Sequence, residues 1–317
     1  PPGAVLLTYG GGPGEITNPV HPTTFKPEFI NAFELGTKNT LFNGALTLNG
    51  TAFYYDYKGY QISEIVDRTS INLNFDAKIK GAELEASYEP LPGLKFSLAG
   101  GYEHTRMADG SKAVDLIDRT AGNPGWVLVK PFITQASNCV LPVYVVENLL
   151  MTGGFQIPIA CQVAWSAHED PLTSQPYVPF PGTSSNGSAI PDYPGFNYLD
   201  YPEANNGTGL YKNLSGNELP NAPHFTVSVG ADYSIPVTSD WAATLHGDFY
   251  WQDKSWARIF NDDPYDRIRG YTNVNLALIL TQLSGWQVMG YLKNVFNTTA
   301  ITGDFLNSDD TGLTTNV

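Results

Sequence analysis

Three hundred and seventeen residues suffice for one large domain or two ordinary ones. The composition, with 15% charged residues, 13% aromatic, 31 Gly and 23 Pro, describes a β-rich, turn-rich chain and excludes both an ordinary helical enzyme and a disordered tail. A formal charge of −14 excludes the broad basic surface that a phosphate backbone demands, so nucleic acid is not an expected partner. No run approaches the ~18 consecutive apolar residues of a membrane helix; the most apolar stretch, Cys139 to Met151, is broken by Pro142, Glu147 and Asn148.

In chain order, the opening PPGAVLLTYGGGPGE has no initiator Met and no charged-then-apolar leader, and reads as a loop in a piece of something longer. Two strands follow, Phe29 to Leu41 and Ala45 to Lys58, with a phase slip around Ala52 to Tyr55 where a bulge is expected. Period-two alternation then sets Ala82, Leu84, Ala86 and Tyr88 against Gly81, Glu83, Glu85 and Ser87, and Leu94, Phe96, Leu98 and Tyr102 against Lys95, Ser97, Ala99 and Glu103. It returns with Phe225, Val227, Val229, Tyr233 and Ile235 against Thr226, Ser228 and Asp232, and with Trp241, Leu245, Phe249 and Trp251 against Thr244, His246 and Asp248. Val274, Leu276, Leu278 and Leu280, then Trp286, Val288 and Leu292, complete eight strands.

These strands run to about 10–14 residues, longer than the usual five or six and enough to cross a bilayer when tilted. Their connections alternate. Tight turns are expected near Asn43, at Pro90 to Gly93, Pro236 to Asp240 and Gln282 to Gly285; long connections at Gly59 to Ala77, Arg106 to Ala222, Ser255 to Arg269 and after Val295. Short turns on one rim and long loops on the other is the asymmetry of an outer-membrane barrel. A soluble sandwich also alternates, but its polar face would be rich in Lys and Glu, whereas here it carries Thr, Ser, Asn and Gly. Tyr88, Tyr102, Tyr233, Trp241, Trp251, Tyr271 and Trp286 stand near strand ends, as in an aromatic girdle. The fold class is therefore all-β, an antiparallel transmembrane barrel present in part.

The string KPEFINAFELGTK, Lys26 to Lys38, followed by NGALTLNGTAFYYDYKGYQI, resembles the C-terminal barrel half of TonB-dependent outer-membrane receptors; Pro27, Glu28, Glu34, Leu35, Gly36 and Lys38 match in order. IKGAELEASYEPLPGLKFSLAGGY, GNELPNAPHFTVSVGADY and GWQVMGYLKNVFNTTA extend the likeness, which fails mainly from about Val127 to Lys212. The chain lacks the terminal aromatic residue, the plug domain and the TonB-engaging box of the family. The resemblance implies that residues 1–317 are about eight strands of a single 22-stranded barrel domain, with a long extracellular loop at about 106–222. It implies an outer-membrane receptor that binds a scarce, bulky small molecule or chelate, such as a ferric siderophore or a carbohydrate, and admits it with TonB and the plug as partners. A passive porin-like channel and a secreted sugar-binding β-sandwich are the alternatives.

No catalytic constellation is present: no G-x-S-x-G elbow, and scattered Ser, His and Asp without triad order, so no enzyme is expected. YGGGPGE, Tyr9 to Glu15, lacks the Gly-Lys-Ser/Thr of a phosphate cradle. His21, His104, His168, His224 and His246 have no ligand spacing, and neither a metal nor a cofactor is expected. Cys139 and Cys161, in a Pro/Gly-rich region, suit one disulfide closing a short hairpin, with two free thiols the other reading. Glu83, Glu85, Asp232 and Asp248 would face the lumen, touching a plug or a solute or simply hydrating the wall. Asp262, Asp263 and Asp266, like Asp309 and Asp310, read as solvated acidic rim, with a divalent cation held through oxygen ligands the other reading. In the long loop Tyr177, Phe180, Tyr193, Phe196, Tyr198 and Tyr201 offer flat rings that would stack on a sugar or an aromatic chelator, or pack the loop on itself.

Overall fold

The computed structural model describes residues 25–66, 69–129, 139–151 and 200–303. In chain order the strands are β1 (Phe29–Leu41), β2 (Leu46–Val66), β3 (Thr69–Leu91), β4 (Leu94–Met107), β5 (Lys112–Val114), β6 (Trp126–Val129) and β7 (Cys139–Pro142). Helix α1 (Val143–Met151) follows, then β8 (Tyr211–Asn213), β9 (Phe225–Pro236), β10 (Trp241–Gln252), β11 (Ser255–Trp256), β12 (Arg267–Ile268), β13 (Tyr271–Gln282) and β14 (Gln287–Leu292). Eight of them form one wholly antiparallel sheet in the order β1-β2-β3-β4-β9-β10-β13-β14, a partial barrel that does not close. All eight strands expected from the alternation are in this wall. No helix among the described residues is long and apolar enough to cross a membrane; the apolar stretch from Cys139 is β7 running into the nine-residue α1.

Residues opposite one another across a ladder share a face. The register therefore aligns Leu84↔Gly100, Leu98↔Val229, Tyr233↔Leu245 and Leu245↔Leu278 on one side, and Glu83↔Gly101, Lys95↔Asp232, Asp232↔His246 and Asp248↔Asn275 on the other. The apolar side is bare: Leu35 is 80% exposed, Leu245 57% and Leu278 49%. No second sheet covers it among the described residues, which removes the sandwich alternative. A 12-residue strand rises ~40 Å and, tilted by ~45°, crosses ~28 Å, the thickness of a hydrocarbon layer.

The turns behave as expected at the short rim. Phe42, Asn43 and Gly44 all have positive φ between β1 and β2. Gly93, at φ +81, stands against the backbone of Ser234, where any side chain would collide.

Several expectations are corrected. The connection Gly59 to Ala77 is not a loop: β2 and β3 run on to Val66 and from Thr69 as a paired ribbon. One face of this extension, Tyr60, Ile62, Leu73 and Phe75, packs against the loops rather than standing bare, while Gln61, Ser63, Asn72 and Asn74 lie on the other face. The irregularity is not at Ala52 to Tyr55, where the register is unbroken, but between Tyr57 and Tyr60, beside Gly59 at φ +67. The apparent slip has another cause. Phe53 and Tyr55 are aromatic residues on the inner face, stacked with ring centroids 5.0 Å apart, and Phe53 lies over Gly81, where a Cβ would strike it. Tyr271 opposes Gln252 and packs against Tyr250 on the polar face, so it leaves the girdle, while Tyr88, Tyr102, Tyr233, Trp241, Trp251 and Trp286 stay in phase with the apolar one. The segments 106–222 and 255–269 carry structure of their own: the ribbons β5–β8, β6–β7 and β11–β12, and α1.

Candidate functional site

The described parts of the long connections gather above one rim of the wall into a compact layer, and nearly all of the buried apolar residues among the described ones lie in it. One cluster joins Phe75, Ala77 and Met107 at the strand ends to Ala113, Leu214, Leu219, Ile259 and Phe260 from the loops. Another packs β6, β7 and α1 through Val129, Val140, Leu141, Val145 and Leu149 against Ala204 and Leu210.

Charged residues lock the layer. Arg258 donates from Nη1 to Asp115 at 2.7 Å and from Nε to Asp266 at 2.6 Å, and both carboxylates are essentially inaccessible. Lys212 reaches Asp262 at 2.7 Å, Asp115 at 3.1 Å and Asp118 at 3.2 Å. Burial disfavours the Asp115 charge, but the Arg258 hydrogen bond and charge, the Ile117 N–H and Lys212 outweigh it and hold the carboxyl below its ordinary range. For Asp266 burial wins and the carboxyl is pushed up in spite of Arg258. Burial pulls Lys212 down, yet its three carboxylates leave it raised. Asp266 is thus a buried structural ion, not part of a solvated rim.

Beneath the layer the inner face of the wall is polar and acidic. His246 Nδ1 lies 2.7 Å from Asp232 Oδ1, and Asn275 donates to Asp248 Oδ2 at 2.7 Å. Two of the four acidic residues expected to face the lumen, Asp232 and Asp248, are therefore held in a side-chain network. The other two, Glu83 and Glu85, are exposed and carry no side-chain hydrogen bond or ion pair among the described residues. Above, Tyr201 is partly buried; its hydroxyl is 3.1 Å from that of Tyr144, and Trp126 meets its ring edge-on at 5.6 Å. Tyr177, Phe180, Tyr193, Phe196 and Tyr198 lie outside the described residues, as do Cys161, His21, His168, Tyr9 to Glu15, Asp309 and Asp310. Cys139 is buried and disulfide-bonded. It stands on the β6–β7 ribbon with α1 next in the chain, so the segment after it is helical through Met151 rather than a short hairpin.

With this geometry in view, the sequence of residues 1–134 matches the family described as TonB dependent receptor-like, β-barrel. This stretch is similar to the TonB-dependent receptor barrels. Solved receptors resemble the chain over most of its length. The ferric yersiniabactin uptake receptor FyuA from Yersinia pestis is 14% identical, with 89% of this chain and 27% of that one covered and a TM-score of 0.49. The siderophore receptor PiuA from Acinetobacter baumannii is 12% identical over 89% of this chain and 26% of that one, with a TM-score of 0.47. BauA, the ferric preacinetobactin receptor from the same organism, is 12% identical over 87% and 26%, with a TM-score of 0.44. The chain spans about a quarter of the length of these receptors. No curated protein matches it.

A further convergence that sequence spacing could not show is at the outer end of β4. His104, Glu218 and His224 bring a ligating atom each to within 4.8 Å of one another. The register of β4 on β9 places the two histidines, 120 positions apart, at the same rim.

Proposed function

We propose that this chain forms part of the wall and outer mouth of a Gram-negative outer-membrane receptor for TonB-dependent uptake of a scarce, bulky solute, a ferric siderophore, carbohydrate or similar nutrient. The observation that carries the reading is a single sheet with a bare apolar face, an acidic inner face and a cored loop layer on one rim only, in a chain whose residues 1–134 match the receptor-barrel family. The family is one of transport receptors rather than enzymes. Lipid covers the apolar face, because bare Leu and Phe side chains in water would each cost roughly 1.5–3 kcal/mol. The loop layer, made rigid by its ion pairs, presents the binding surface, and its aromatic stretch from Tyr177 to Tyr201 supplies stacking groups. Glu83 and Glu85 contact the plug or the passing solute; Asp232 and Asp248 shape the wall. Cys161 is the partner of Cys139.

The test is uptake by cells carrying the full-length protein with and without a functional TonB system. Accumulation of ferric siderophores or oligosaccharides against a gradient, lost when TonB is deleted, is expected. Accumulation that only equilibrates, at the same rate with and without TonB, would show a passive porin instead.

A further inference from the structure

At the long-loop rim His104 projects from β4, and Glu218 and His224 from the segment returning to β9. The three ligating atoms fall within 4.8 Å of one another. His224 Nε2 is 2.7 Å from Glu218 Oε1, and the His104 ring meets the His224 ring at 5.6 Å with the planes inclined by 60°. A hydrogen-bonded His–Glu pair accounts for two of these groups. It does not account for the third, a second imidazole turned to the same point. All three side chains are partly exposed, so an ion arriving from water reaches them without disturbing the core.

The backbone around the three residues is fixed by its neighbours. Glu103 N–H donates to the His224 carbonyl at 2.9 Å, tying the residue before His104 to His224 itself. Leu219 N–H donates to the buried Thr105 Oγ1 at 2.9 Å. The Asn261 side chain grips Glu218 twice, accepting its N–H at 2.7 Å and donating to its carbonyl at 3.1 Å. Asn217 donates to the carbonyls of Ile259 and Phe260 at 2.8 and 3.1 Å. A ligand set whose supports are hydrogen-bonded on both sides is preorganised, which is what a tight metal site requires.

We propose that His104, Glu218 and His224 bind a divalent transition-metal ion of the zinc class. Two neutral imidazoles and one carboxylate are borderline donors that suit zinc and its neighbours, and are unsuited to calcium or magnesium, which take oxygen ligands throughout. Bonds of ~2.0–2.2 Å in a tetrahedral site put donors ~3.3 Å apart. The His224–Glu218 pair opens by about half an ångström as the ion replaces the shared proton, and rotation of the His104 ring closes the rest. Three protein ligands leave a fourth position for water or for one arm of an incoming chelate. The ion clips the returning segment to the end of β4. This inference is independent of TonB coupling.

The experiment uses the full-length protein in detergent, stripped with a chelator and titrated with zinc chloride by calorimetry and with cobalt chloride by visible absorption. One equivalent should bind, and cobalt should show the intense bands of a four- or five-coordinate site. His224→Gln should weaken zinc by more than ~100-fold, and Asn261→Ala, which frees the Glu218 backbone, by ~10–100-fold. His246→Gln, on the inner wall, should leave it unchanged. Cobalt retaining the pale spectrum of the hydrated ion in the unmodified protein would overturn the proposal whether or not any variant folds, as would zinc affinity unaffected by both His104→Gln and His224→Gln.

Discussion

The wall and the layer above its long-loop rim dispose of apolar side chains in opposite ways. Along β9, β10, β13 and β14 the only buried residue is Gly230, and Val229, Leu245, Leu276 and Leu278 stand bare. In the layer, Met107, Val140, Leu141 and Leu214 are shut off completely. The layer is held by a protein core and by ions; the wall is held by backbone ladders, and on the proposed reading lipid covers its bare face. On that reading one chain answers to two solvents, and a substitution of one kind should act differently in each.

The largest effect expected is in the layer. Asp115→Asn leaves Arg258 with one partner and Lys212 with two, and breaking a buried pair of this kind costs on the order of 3–5 kcal/mol. Hydrogen exchange should show residues 111–120 and 256–268 opening while the ladders of β9 and β10 remain protected. The pH dependence has a definite sign. Because the Asp115 carboxyl is held below its ordinary value, its contribution is complete above the usual carboxylate range and is lost as pH falls through the folded value. The advantage of the unmodified protein over Asp115→Asn should be full at pH 7 and shrink below about pH 4. An advantage unchanged at pH 3 would contradict the assignment.

Next comes the wall. Leu245→Arg at mid-strand should cost ~2–4 kcal/mol in a bilayer, read as loss of the heat-dependent gel shift, whereas Tyr265→Arg, at an exposed site in the layer, should leave that shift alone. Replacing both Cys139 and Cys161 by Ser should weaken the layer by roughly 3 kcal/mol and alter ligand binding without affecting insertion; insertion lost with binding unchanged would reverse the roles given to the two regions. The smallest effect belongs to the inner face. Asp232→Asn removes a pair whose members are both about a third or more exposed, so at most ~0.5 kcal/mol should be lost in urea unfolding.

The sequence displayed the wall well and the layer poorly, for one reason. A strand with one bare apolar face and one polar face writes its period into the side chains, as Phe225 to Ile235 and Trp241 to Trp251 do. Where the ladder continues past the wall and one face packs on the loops, as at Tyr60 to Ser63 and Asn72 to Phe75, the Gln, Ser and Asn of the other face made paired strands look like a loop. Phe53 and Tyr55 misled in the other direction, since aromatic rings on the inner face broke the period without breaking the register. In the layer the contacts that matter join residues far apart in sequence: Asp115 to Arg258, Asn261 to Glu218, His104 to His224. No local spacing foretells them. The resemblance in Lys26 to Lys38 agrees with the family whose model matches residues 1–134, but it did not tell which acidic residues are bound and which are free.

The most direct test is to place spin labels along β10 and β13 of the full-length protein in vesicles, through Leu245→Cys, His246→Cys, Asp248→Cys, Phe249→Cys and Leu278→Cys. Labels at 245, 249 and 278 should be relaxed by dissolved oxygen and shielded from a water-soluble nickel chelate, and those at 246 and 248 should show the reverse. Labels at 245 and 278 shielded from both relaxants, or open to the chelate, would contradict the claim that this face of the sheet meets lipid.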